Sequence, residues 1–114
     1  MKEQLLQIYQ IAVKYPESSG FEHLEMLQIR DELALIENEL NEREKEELAL
    51  ADQLLIKNSQ LFYHELSIII DLRQKRESEQ ISSASWWWYL DVLANLPQLF
   101  SYWEKSPQEN VLIK

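Results

Sequence analysis

Apolar residues recur at helical spacing almost from the start of this chain. Leu5, Ile8, Tyr9, Ala12 and Val13 stand at i, i+3, i+4, i+7 and i+8. That spacing puts them on one stripe of an amphipathic helix over residues 1–15. Pro16 ends it, because the residue before a proline is pushed out of helical geometry. Pro16-Glu17-Ser18-Ser19-Gly20 then turns the chain.

From Phe21 to Leu96 there is neither glycine nor proline, the two residues least compatible with a helix interior. Helix is therefore expected over about residues 21–78. Met26, Ile29, Leu33, Ile36 and Leu40 define a stripe at about 100° per residue. Counting on past the polar run 41–47, Leu48, Ala51, Leu54, Leu55, Phe62, Leu66, Ile69 and Leu72 return to it. Leu27, Leu35 and Ile56 fall off it, and a band about 120° wide is matched by chance about one time in three. The preserved phase favours a single helix, about 87 Å long. Asn41-Glu42-Arg43-Glu44 argues the other way. It has the outline of a capping box, with Asn41 as N-cap and Glu44 three residues on, and allows a hairpin broken near 41–45. A continuous helix could not cover its stripe with the rest of the chain, so it implies a coiled-coil-like dimer. A hairpin permits a monomeric four-helix bundle. The fold class is all-α in both cases.

Arg73, Lys75 and Arg76 suit the C-terminus of the long segment through the helix dipole. Residues 78–85 read as a connector. An aromatic-rich helical region over 84–105 follows, opening on Trp86-Trp87-Trp88-Tyr89 and interrupted at Pro97. Leu99, Phe100, Tyr102 and Trp103 extend it, and 106–114 form a tail. Four consecutive helical positions span about 300° of circumference, so they cannot all face one core. At least one indole is expected outside. Trp87, Trp88 and Trp103 are the candidate partner-binding residues, since tryptophan is enriched in binding hot spots. The alternative is that this helix is sandwiched between others, with its rings filling the core and locking it onto the bundle.

Length and charge narrow the function class. The 114 residues fit one domain, 1–114. The formal net charge is −9, and residues 17–52 hold the whole imbalance, with twelve acids against three bases. That balance disfavours a direct grip on nucleic acid or on an anionic membrane. It suits either a solvated helix face or an acidic surface for a basic partner. There is no cysteine, so thiol chemistry is absent. No signal-peptide core and no apolar run of about 18 residues occurs, and the expected location is the cytoplasm, with no membrane partner.

Candidate chemistry is sparse. His23 and His64, with Glu22 and Glu65, are placed symmetrically about residues 43–44 and would come level in a hairpin, a weak pointer to a metal site. The Glu-x-x-His motif of di-iron bundles is absent. One glycine rules out a phosphate loop or a nucleophile elbow. The glutamates over 37–47 alternate with Arg43 and Lys45 as solvated i,i+4 pairs. No catalytic residue, cofactor or metal is expected. The leading expectation is a non-catalytic protein-interaction or assembly module. It self-associates through Leu33, Ile36, Leu40, Leu54, Leu55, Phe62, Leu66 and Ile69, and meets a protein partner through its tryptophans. The alternatives are an acidic decoy for a basic, nucleic-acid-binding protein surface, and a small-ligand or metal-binding bundle.

Overall fold

A computed structural model describes residues 2–96. Among them, helix is the only regular structure. The order is α1 (Lys2–Ala12), α2 (Gly20–Leu35), a 3-10 turn (Glu37–Glu39), α3 (Glu42–Lys57), α4 (Ser59–Ile69), α5 (Leu72–Glu79) and a 3-10 turn (Trp86–Tyr89). Residues 90–96 continue as α-helix. The all-α expectation holds.

The single helix over 21–78 does not form. Its first interruption lies at 36–41. Ile36 leaves helical geometry (φ −111, ψ 14), and Leu40 and Asn41 are extended, with ψ of 142 and 177. The capping box is made in full: Asn41 Oδ1 accepts from Glu44 N at 2.8 Å, and Asn41 N donates to Glu44 Oε1 at 2.9 Å. These bonds satisfy amide donors that an interrupted helix would otherwise leave bare. Asn58 makes a one-residue break between α3 and α4, and Asp71 caps α5 by accepting from Gln74 N. Gln80 closes α5 in the left-handed region (φ 53).

The break reverses the chain. Arg30 meets Asp52, His23 meets Phe62, and Gly20 lies against the Glu65 carbonyl. Partner numbers rise as those of α2 fall, so α2 runs antiparallel to α3 and α4. Gly20 is required there, because a Cβ would run into the Glu65 carbonyl oxygen and crowd Ile69. α1 runs the other way, parallel to α3: Lys2 reaches Glu44 and Tyr9 reaches Asp52. α1 ends at Ala12, short of the expected Tyr15, in two tight turns.

This hairpin gives the apolar stripe a partner inside the chain. Leu33, Leu40, Leu55, Phe62 and Leu66 are buried in one core with Leu6, Tyr9, Met26 and Leu27. Ile36 and Leu54 pack half-buried on that core, and Ile69 is half-buried beside Gly20. Within the described residues these side chains are covered without a second copy. The phase carried across 36–41 because both arms turn the same kind of face toward one core.

Candidate functional site

Tyr9, Arg30 and Asp52 form one connected polar group at the core. Arg30 sits on the same stripe as Met26 and Leu33, and its side chain is 4% exposed. A guanidinium there needs an anion, and Asp52 supplies one: its carboxylate accepts from Arg30 Nε and Nη2, each at 3.0 Å. Tyr9 donates its hydroxyl to the same carboxylate at 2.6 Å. Burial, reinforced by the Asp52 charge, holds the Tyr9 phenol protonated far above the usual tyrosine range. Burial opposes the charge of Arg30, but its bonds to Asp52 outweigh this and keep it charged beyond its ordinary range. Arg30 Nη1 is buried with no hydrogen-bond acceptor among the described residues. The guanidinium carbon lies 4.3 Å from the Trp87 ring centroid, within cation–π range.

The tryptophan run docks onto this group. Trp87 and Trp88 both donate their indole N–H to Asp31 Oδ1, each at 2.8 Å, and both are buried. Trp86 packs edge-on to Trp87 and is half-buried, as is Tyr89. Neither Trp87 nor Trp88 is on the surface of the described structure; both lock the C-terminal region onto α2. The run is a 3-10 turn rather than the start of an α-helix. Its successive side chains are therefore spaced by about 120°, and α2 and α5 cover what it presents. Lys75 Nζ lies 4.9 Å from the Trp88 centroid. Arg76 stacks on Tyr89 at 4.4 Å, grips Asp91 through two bonds of 2.6 and 3.1 Å, and donates to the Trp88 carbonyl. The bonds to Asp91 raise the Arg76 pKa. Trp103 lies outside the described residues.

The two histidines do come level, as a hairpin would place them, but they face apart. His23 is buried, with Nε2 2.9 Å from the Pro16 carbonyl and its ring edge-on to Phe62. Burial lowers its pKa. His64 is exposed on α4. Among the described residues no group of three or more His, Cys, Asp or Glu converges to hold a metal ion. Nor is any helix among them long and apolar enough to cross a membrane.

One groove left open on the surface lies between α1 and α3. It encloses about 380 Å³, and Ile11, Val13, Leu50, Ala51 and Leu54 give it an apolar lining with Gln7, Gln10, Lys14 and Glu47 around them. Ile11 is 52% and Leu50 64% exposed. A smaller hollow of about 230 Å³ continues along the same helices past Gln7, Gln10 and Glu47 to Glu3, Arg43 and Glu44. The charges are nearly balanced: Arg43 pairs with Glu47 at 3.1 Å and Lys2 approaches Glu44 at 3.7 Å.

Sequence reasoning missed Arg30, Asp31, Asp52, Arg76 and Asp91. One signal was present: Arg30 and Glu44 both lie in phase with the apolar stripe, and a charge on a buried face must find a partner. No family model, curated protein or solved structure matches the chain.

Proposed function

We propose that this chain is a non-catalytic protein-interaction module whose contact surface is the groove between α1 and α3. The observation that carries the reading is the pair Ile11 and Leu50, both more than half exposed, above the apolar residues Val13, Ala51 and Leu54. A trough between two parallel helices suits a third helix, which would anchor apolar side chains between them. The near-neutral rim suits a partner whose apolar stripe is flanked by uncharged or mixed residues rather than by a basic run. The groups with shifted pKa are already engaged. Tyr9, Arg30 and Arg76 are held by Asp52 or Asp91, and His23 meets a backbone carbonyl. General acid–base chemistry instead needs a perturbed group free to exchange protons with a substrate.

The test starts from protein captured on the immobilised chain. Helical peptides from it are then titrated calorimetrically against wild type, Leu50→Asp, Ile11→Asp and Phe21→Asp. Phe21 is exposed and lies off the groove. The reading expects Leu50→Asp and Ile11→Asp each to weaken binding at least about tenfold, as loss of a central anchor does, while Phe21→Asp leaves it unchanged. A second reading, the acidic decoy, is favoured by Glu22, Glu25 and Glu32. They lie on the exposed or half-exposed side of α2, with no ion-pair partner among the described residues. It expects binding that collapses with added salt and ignores Leu50→Asp.

A further inference from the structure

The reversal between α2 and α3 is held by few bonds. Glu37–Glu39 is already a 3-10 turn. Leu40 (φ −78) and Asn41 (φ −80) have near-helical φ and depart from helix mainly in ψ. Beside the backbone bonds Glu39 N to Ile36 O and Leu40 N to Glu37 O, two capping-box hydrogen bonds and one from Lys2 Nζ to the Glu39 carbonyl at 2.8 Å keep the turn closed. No glycine or proline fixes it. The buried side chains of α2 and α3 also share one arc, about 120° wide at 100° per residue. His23, Met26 and Arg30 lie within it with Glu44, Leu48 and Leu55, and Leu33 and Ala51 share one of its edges. Rotating these two ψ angles, together with returning Ile36 (φ −111, ψ 14) to helical geometry, would fuse α2 and α3 into one rod with their buried side chains still on one face. Leu40, itself buried, would lie at the edge of the same arc.

We infer that this turn is a hinge for exchange between two copies of the chain. When it opens, α1 and α2 of one copy pack on α3 and α4 of the other. Every core contact of the closed form is then remade across the dimer, including the pairing of Arg30 with Asp52. Short turns between complementary faces are the usual route to such exchange. The described structure is the closed form. The inference concerns a second state reached from it, and it does not rest on the groove reading, because exchange rebuilds the groove from two chains.

Asn41→Ala and Asn41→Gly both remove the side-chain cap but differ in how well they continue a helix. The helix term alone is about fivefold per hinge, so about 30-fold in the dimerisation constant of a two-hinged dimer, and glycine's better capping of the closed turn adds to it. Sedimentation equilibrium should find Asn41→Ala the stronger dimer by at least about that factor. Equal association of the two variants overturns the proposal. A mixing experiment separates exchange from side-by-side pairing and does not need the single variants to fold. In the Asn41→Ala background, Arg30→Asp and Asp52→Arg each set like charges against each other within one chain. Exchange pairs opposite charges at both sites of the mixed dimer. Refolding the two together should restore helicity and give a mixed dimer by native mass spectrometry. No gain over the separately refolded variants overturns the proposal.

Discussion

Replacing Asp52 with alanine removes the only carboxylate among the described residues that Arg30 and Tyr9 are bonded to. Three hydrogen bonds end on it, from Arg30 Nε, Arg30 Nη2 and the Tyr9 hydroxyl. With the Arg30 side chain 4% exposed, the variant keeps a buried cation with no anion, which costs about 3–5 kcal/mol. The Tyr9 hydroxyl loses its acceptor at about 1–3 kcal/mol. The two losses belong to one network and do not simply add, so the total expected is about 4–6 kcal/mol. Against a domain stability of about 5–15 kcal/mol, that places the variant near its folding threshold. Removing both charges is different. Arg30→Met with Asp52→Leu leaves no unpaired ion, and such replacements are often neutral or better. Urea unfolding followed by tryptophan fluorescence measures all three proteins, provided the denaturant slope stays constant. The reasoning fails if Asp52→Ala costs under about 1 kcal/mol, or if the double variant is no more stable than Asp52→Ala.

Three further outcomes follow from single residues. His23 has its folded-state pKa lowered by burial, so the unfolded chain takes up the proton first. Its contribution is complete above the ordinary histidine value of about 6.5 and is lost as pH falls below it. The urea midpoint of wild type should drop between about pH 7.5 and 5.5, and that of His23→Gln should drop less. Asp31→Ala strands the indole N–H groups of Trp87 and Trp88 and should cost about 1–3 kcal/mol; Asp31→Asn keeps a carbonyl acceptor and should cost less, with tryptophan emission reporting the difference. Gly20→Ala forces α2 away from the Glu65 carbonyl and should cost about 1–3 kcal/mol in thermal or urea unfolding, as overpacking does.

Which of these features could be read in the sequence depends on the range of the interaction behind it. The helices, the Pro16 turn and the Asn41–Glu44 capping box are local, and each shows in residue type and spacing. The break at Asn58 is a single polar residue inside an otherwise helical pattern, and nothing nearby marks it. Phase alone could not decide between rod and hairpin, because both need the same face buried. The sequence leaves the Trp86–Tyr89 run open between core and contact surface for a different reason. Its burial depends on Asp31, more than fifty positions earlier in the chain, and on Lys75 and Arg76 covering its other side. The groove was invisible for the same reason. Ile11 and Leu50 belong to separate amphipathic patterns, and only the parallel packing of α1 against α3 brings them to one trough.

The central claim is that one chain folds back at 36–41 and covers its own stripe. The chain has no cysteine, so spin labels can be placed uniquely at the exposed positions Gln28 and Gln53, with labelled protein diluted into unlabelled wild type so that only distances within a chain are read. With α2 beside α3 at an interaxial distance of about 8–10 Å and Arg30 bonded to Asp52, the account predicts a short label separation, under about 25 Å. An unbroken helix would hold the two positions about 38 Å apart at 1.5 Å per residue, and that distance in dilute wild-type protein would contradict it.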